Sequence, residues 1–336
     1  MRSDIILLGH GSGGRLSHQL LEEVILPILS GAPPREHDDA AVFALAGGRL
    51  AFTTDSYVVD PVFFPGGNIG DLAVYGTVND LAMRGARPVA LSVGLILEEG
   101  LPLLDLRTIL ESMRAAAEAA GVRILTGDTK VVPWGKADRI FINTAGIGVF
   151  DHDLEVRGAA ARPEDQILLS GAIGDHGMAV LAGRNGLQLP ADIRSDTAPL
   201  HELVAEILRA GEGAVHVLRD PTRGGVATAL KEIAVQSEVD LLVYEQQLPV
   251  HPAVAGACSI LGLDPLYVAN EGKLLAVVAP QRAETVLEVM RRHPLGRESA
   301  RIGEVLPGIG GVFLATAVGG RRIIDMLSGD QLPRIC

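Results

Sequence analysis

Residues 151–165, DHDLEVRGAAARPED, decide how the chain is divided. The stretch is charged, rich in small residues and broken by a proline near its end, as expected of a segment between domains. An apolar strand pattern, QILLSG (166–171), follows at once and runs into a glycine loop, GAIGDHG (171–177). The first half also has a glycine-rich start, GHGSGGR (9–15). The reading is therefore an N-terminal domain over 1–150, a C-terminal domain over 151–320 and a tail over 321–336. A chain of 336 residues is ample for two domains of ordinary size.

Working outward, helix patterns cover Ile69–Arg84, Leu106–Ala120, Thr197–Ala210 and Arg282–Arg292, the first two stopped by Gly85 and Gly121. Short β-branched or aliphatic runs predict strands at Arg49–Thr53, Val89–Leu97, Arg139–Phe150, Gln166–Ser170 and Lys273–Val278, with two more at Ile302–Val305 and Val312–Thr316. The two kinds of element mix without regular βαβ alternation, which points to an α+β fold.

Apolar residues make up 48% of the chain and aromatics only 4%, so the cores are aliphatic. Asp and Glu outnumber Lys and Arg by 41 to 29, a balance that disfavours nucleic acid or an anionic membrane as partner. No apolar run reaches the roughly 20 residues that span a bilayer, and no signal-peptide pattern opens the chain, so a cytoplasmic protein is expected. Cys258, among Ala, Val and Ile, reads as a small buried hydrophobe.

Three glycine clusters stand out: GHGSGGR (9–15), GAIGDHG (171–177) and DPTRGG (220–225), the last two opening helical segments. Glycine lets backbone approach a ligand, and a helix N-terminus offers N–H groups to phosphate. Each could equally be a plain turn, and neither standard phosphate-loop spacing is present. Carboxylates gather beside these glycines and at the ends of apolar runs: Asp38, Asp39, Asp55, Asp71, Asp80, Asp128 and Asp220. Magnesium takes such oxygens, but single Asp residues also cap helices and close turns. Asp71, Tyr75 and Asn79 share one helical face, and Asp80 is offset from Asn79 by about 100°.

Lys130, after Gly127-Asp128-Thr129, and Glu271, in ANEGK (269–273), have acid–base potential, although a surface ion pair would explain either. The end of the chain, RRIIDMLSGDQLPRIC (321–336), is broken by Gly329 and Pro333. Its last eight residues could reach about 25 Å, making Cys336 a thiol on a tether with Arg334 beside it to favour the thiolate. His10, His18 and His176 are dispersed and read as structural residues rather than ligands.

Together, GHGSGGRLSHQLL, REHDDAAVF, FTTDSYVV, GDLAVYGTVNDLAMRGARP, LTGDTKVVP, GAIGDHGMAVL, DPTRGGVATAL, NEGK and the terminal PRIC resemble the HypE family of hydrogenase maturation proteins over essentially the whole chain. PRIC is the most specific of these segments. The others are shared, in looser form, with the aminoimidazole ribonucleotide synthetase (PurM) and selenophosphate synthetase (SelD) superfamily. The resemblance implies two α+β domains, the second an α/β sandwich, with N-terminal domains pairing into the β-barrel of a homodimer. It implies ATP between the domains and across the dimer, with Mg²⁺ on Asp39, Asp80 and Asp220. Gly11, Gly13, Gly14, Asp55 and Asp128 would surround the triphosphate. Asn79, Gly174, Asp175, Thr222, Arg223 and Gly224 complete the nucleotide set.

By the same resemblance, a carbamoyl group on Cys336, donated by HypF, is dehydrated to a thiocyanate. The cyanide passes to a HypC–HypD complex for the iron of [NiFe] hydrogenase. Glu271 is then the candidate base, and Lys130 the group that orients the amide. A selenophosphate synthetase is disfavoured because the HGSGGR loop holds no cysteine, and a small-molecule kinase leaves the PRIC tail unexplained. A metal carrier would need more ligands than one isolated thiol.

Overall fold

The computed structural model describes residues 6–11, 14–29, 38–45, 48–184, 192–327 and 334–336. After a 3₁₀ turn at Leu8–Gly11 come helix α1 (Arg15–Leu20), a π-helical stretch (Leu21–Ile25) and α2 (Leu26–Leu29). Strands β1 (Ala41–Leu45) and β2 (Gly48–Tyr57) lead through a small ladder, β3 (Phe63–Phe64) with β4 (Gly67–Asn68), into helix α3 (Ile69–Met83). Then follow β5 (Arg87–Glu98), α4 (Leu103–Ala119), β6 (Arg123–Val132) and β7 (Ile140–Val149). The first sheet has the order β1-β2-β7-β5-β6, antiparallel except for the parallel β5–β6 pair.

Helix α3 has twelve of its fifteen residues buried. A helix apolar nearly all round belongs in a core, not on a surface. It packs against β2 and β7 on one side and α4 on the other. Its start is fixed by a capping box: Asn68 accepts from Gly70 N–H while Asp71 accepts from Asn68 N–H at 2.7 Å. Asp71 is thus a cap, as its position allowed. The opposite face of the sheet carries exposed Phe43, Phe52, Ile96 and Ile147.

The second half runs β8 (Gln166–Leu169), α5 (Asp175–Ala182), α6 (His201–Gly211), β9 (Val215–Arg219), α7 (Gly225–Ser237), β10 (Val239–Tyr244) and α8 (Pro252–Leu261). It ends with β11 (Leu275–Val278), α9 (Pro280–Arg292), β12 (Ala300–Pro307), β13 (Val312–Ala315) and β14 (Arg321–Ile323). The sheet order is β14-β13-β10-β12-β8-β11-β9. Strand alternation sends Ile167, Leu169, Val217 and Val277 to one face with α7, and Leu168, Leu218 and Ala276 to the other with α6 and α9. A sheet covered on both faces fits the expected α/β sandwich. Cys258 lies 1% exposed in α8, as its apolar surroundings predicted, and burial pushes its thiol up to about 11.

Two expectations need correction. The tail expected over 321–336 begins as an edge strand, because β14 pairs antiparallel with β13. Its last three residues are docked, not loose, as described below. The segment LTGDTK, for which no strand was expected, lies inside strand β6, where Gly127 lets the chain pass close to the Val93 carbonyl.

Candidate active site

Period-two alternation along β2 puts Ala51, Thr53 and Tyr57 in the buried layer with Asp55 half-buried beside them, so Asp55 sits within the strand and not at its end. Asp80, on the next turn of α3 from Gly76, meets them: Thr53 Oγ1 lies 2.8 Å from Asp80 Oδ2 and 3.0 Å from the Asp39 carbonyl. The Tyr57 hydroxyl donates to Asp55 at 3.2 Å and occupies space that a side chain at position 76 would fill.

The second domain brings DPTRGG, the turn between β9 and α7. Gly224 and Gly225 have φ of +78° and +61°, and a Cβ on Gly225 would stand 2.5 Å from the Leu266 carbonyl, so both glycines are demanded by the turn. The turn aims Asp220, Thr222 and Arg223 at β2. Arg223 also donates to the Gly11 carbonyl at 3.1 Å, fastening the N-terminal glycine loop. A cavity of about 220 Å³ lies among Asp39, Asp55, Asp80, Asp220, Arg223 and Glu271. It shares a wall with an outer cleft of about 580 Å³, lined by Gly11, His18, Thr228 and Glu232 among others.

Glu271 is fixed through its backbone, not its carboxyl. Its N–H donates to Asp196 at 3.0 Å, its carbonyl accepts from Asn79 at 3.1 Å, and Gly272 passes where a Cβ would be 1.7 Å from the Asp196 carbonyl. The side chain is 3% exposed, and its Oε1 has no hydrogen-bond partner among the described residues. Burial, with Asp220, Asp196 and Asp55 nearby, holds Glu271 well above the usual carboxylate range. Burial likewise raises Asp39, against the pull of Arg219, whose Nε lies 3.1 Å away. It raises Asp80, with Asp55 and Asp220 adding to the shift. Asp220 is pushed up to about 6.

Five carboxylates thus face a cavity whose only cationic lining side chain, among the described residues, is Arg223. Asp39, Asp80 and Asp220 are hard oxygen donors of the kind Mg²⁺ takes, although Asp39 already pairs with Arg219 and Asp80 accepts from Thr53. Among the described residues no three His, Cys, Asp or Glu side chains are grouped closely enough to hold a metal ion by themselves, so an ion here would need phosphate oxygens and waters as further ligands.

Cys336 lines the same cavity. Val58 N–H donates to a backbone oxygen of Cys336 at 3.3 Å and Asp60 N–H to the Arg334 carbonyl at 3.1 Å, so residues 334–336 run antiparallel beside residues 58–60. Ile335 is 3% exposed in the first domain's core, and its carbonyl lies 3.0 Å from His176 Nε2. Arg334 does not support the thiolate: its guanidinium faces Asp60 and Asp138. Arg223 instead lines the cavity with Cys336, and attraction to Cys336 is the chief cause that raises its guanidinium further above the ordinary arginine value.

Several expected residues stand elsewhere. Asn79 spends its whole amide on structure, donating to the Ala198 and Glu271 carbonyls and accepting from Leu200 N–H. The Gly174 N–H is taken by Asn270, and Asp175 faces His251, so GAIGDHG is not a phosphate loop. Its contribution is His176. Asp128 and Lys130 pair with each other on the exposed edge strand β6, their side chains 70% and 67% exposed. That strand is three positions from β2 in the sheet, roughly 14 Å. Gly14 caps α1, Gly11 borders the outer cleft, and Gly13 lies outside the described residues. Tyr57, Asp60, Asp138 and Asp196 were missed; only FTTDSYVV, among the quoted segments, contained one of them.

Two family models match the chain: the N-terminal domain of AIR synthase related protein over residues 37–150 and its C-terminal domain over 162–314. The carbamoyl dehydratase HypE of Cupriavidus necator is 53% identical over all of this chain and 96% of its own length. That of Escherichia coli is 46% identical over 98% of this chain and 99% of its own. A solved HypE in complex with ATP matches with a TM-score of 0.83 at 51% identity, covering 99% of this chain and 100% of that one. The HypE of a HypE–HypF complex matches with a TM-score of 0.86 at 49% identity, covering 92% and 99%.

Proposed function

The chain belongs to the AIR synthase related family and, within it, to the HypE carbamoyl dehydratases, and from that membership we propose that it uses ATP to convert an S-carbamoyl group on its own Cys336 into a thiocyanate. The observation that carries this reading is Cys336 lining one small cavity with Asp55, Asp220, Arg223 and Glu271.

A thiocarbamate, S–CO–NH₂, does not expel oxide unaided. Its oxygen attacks the γ-phosphorus of ATP, the bond to the ADP oxygen breaks, and ADP leaves. Loss of both N–H protons with cleavage of the C–O bond then gives S–C≡N and releases phosphate. Nucleotide in the outer cleft, against Gly11, Gly14 and the DPTRGG turn, has its triphosphate at the wall shared with the inner cavity. Asp39, Asp80 and Asp220 would hold Mg²⁺, which would supply positive charge against the transferred phosphoryl group. Arg223 pairs with the same charge. Glu271, buried with Oε1 unpartnered among the described residues, takes one N–H proton as the C–O bond breaks, and the other leaves with the phosphate.

Asp128 and Lys130 enter this reading through a second copy of the chain. A homodimer closed on the outer face of the first sheet would bring the partner's β6 to the site, where Lys130 orients the amide and Asp128 meets the triphosphate. We assign HypF as carbamoyl donor, following the complex formed by the relative, and a HypC–HypD complex as cyanide acceptor, all in the cytoplasm. No helix among the described residues is long and apolar enough to cross a membrane.

Carbamoylated protein given Mg-ATP should lose about 18 Da at Cys336, one water from the covalent adduct, by intact-mass spectrometry. Retention of the full carbamoyl mass after ATP is consumed, or cyanide-ligand production by Cys336→Ala, would overturn the proposal.

A further inference from the structure

The seat of the last three residues is built from both domains. From the first come the Val58 and Asp60 N–H groups, the core that takes the Ile335 side chain, and the Asp60 and Asp138 carboxylates. From the second come His176 and Arg184, whose guanidinium donates to the Arg334 carbonyl at 3.1 Å and to the Asp60 carbonyl at 3.0 Å. His176 is fully buried, and burial keeps its ring neutral. A carbonyl can only accept, so Nε2 carries the proton to Ile335 and Nδ1 accepts from the Ser195 hydroxyl at 2.8 Å. Phe64 fixes the ring edge-on at 5.4 Å.

Arg334 itself has φ of +55°, a conformation that side-chain-bearing residues rarely adopt. The kink turns Ile335 into the core while the guanidinium stays at the rim. There one terminal nitrogen lies 2.9 Å from Asp60 and the other meets Asp138.

We propose that this seat is a sequence-reading peptide site: the Asp60–Asp138 pair selects a basic residue two positions before the thiol, and Arg334 thereby sets how long Cys336 stays in the cavity. His176 and Arg334 are positioning residues, since neither lines the cavity. Docking stands on this geometry alone; its effect on turnover rests on the reading of Cys336 as the carrier.

The two consequences have opposite signs. A weaker latch exposes the thiol to outside reagents and to a carbamoyl donor, while it slows any step that needs Cys336 in the cavity. Loss of folding would also expose Cys258, 1% exposed in the fold, and abolish ATP binding, which separates it from a weaker latch. The test uses the full-length chain and a polyethylene-glycol maleimide too large for a cavity of about 220 Å³. Cys258, 1% exposed, does not compete for the reagent. Arg334→Gln and, from the other side, the double variant Asp60→Asn/Asp138→Asn should each label about two- to fivefold faster than the parent, the range of a partly exposed ion pair. The Arg334 side chain is 40% exposed and lies in no helix or strand, so Arg334→Gln leaves both domain cores intact. Single-turnover dehydration of the carbamoylated variants should fall by a similar factor, with ATP binding unchanged. Unchanged labelling in both variants overturns the latch. Faster labelling with undiminished dehydration overturns the claim that the hold of Arg334 limits turnover, while no dehydration even in the parent chain removes the carrier reading instead.

Discussion

Glu271 is the residue whose surroundings say most about its use. Its backbone is clamped by Asp196 and Asn79, while one carboxyl oxygen in the buried cavity has no partner among the described residues. Leaving a buried acceptor unmade costs about 1–3 kcal/mol, which a fold does not retain without a task for the group. Glu271→Gln keeps the shape and removes the base. The variant should bind ATP normally and retain the carbamoyl mass, with single-turnover dehydration lowered about 10²-fold or more, the usual range for a general base. The pH profile adds a sign. Only the ionised carboxylate accepts a proton, and burial raises its pKa, so the rate should fall on acidification from a pH above the ordinary glutamate range. An acid limb at the ordinary glutamate position, or an unaltered limb in the Gln variant, would rule Glu271 out as the base. This residue was legible only as a group with acid–base potential, and its burial excludes the surface ion pair that the sequence left open. Asn79 and Gly174 were not, because a side-chain amide and a glycine N–H look alike in sequence whether they hold a ligand or another segment.

At the scale of elements, helix α3 was legible from composition: Ile69–Arg84 was expected and Ile69–Met83 is found. An apolar run with a cap before it and Gly85 behind it leaves little choice. Strand β6 was not legible. It needs only β5 as a neighbour, its side chains are almost all exposed, and Gly127-Asp128 in its middle reads as a turn. The fit of α3 against β2 can be tested at Gly76. Gly→Ala in a helix interior ordinarily stabilises by about 1 kcal/mol. Here the new Cβ would stand 2.2 Å from the Tyr57 hydroxyl and 3.1 Å from the ring carbon that carries it. Gly76→Ala should therefore destabilise by about 1–3 kcal/mol in denaturant unfolding. Adding Tyr57→Phe removes the colliding oxygen, so the double variant should recover most of the loss. A Gly76→Ala chain as stable as the parent would mean that the hydroxyl does not occupy that notch.

The whole molecule leaves one matter that neither domain settles alone. The first sheet presents Phe43, Phe52, Ile96 and Ile147 on the face away from α3, and Phe52 pairs directly with Ile147 across the strands. Contiguous exposed apolar side chains on a sheet mark an interface. Asp128 and Lys130 lie at the registers of Gly94 and Ile96, hence on that same face, and far from the cavity of their own chain. A two-fold dimer through this face gives both observations one cause, and it makes a prediction that a monomer cannot meet. Lys130→Ala and Cys336→Ala should each abolish conversion of the carbamoyl group. When the two are unfolded together and refolded as a mixture, half of the dimers carry one chain of each kind. In such a dimer one site combines an intact Cys336 with the partner's intact Lys130, and the other site lacks both. Activity should return to about a quarter of the parent value. If Lys130 instead served its own chain, every site in the mixture would lack one of the two groups and the mixture would stay dead. Replacing Phe52 by Asp in both chains should break the dimer, seen as a halved mass in light scattering, and abolish the recovery with it.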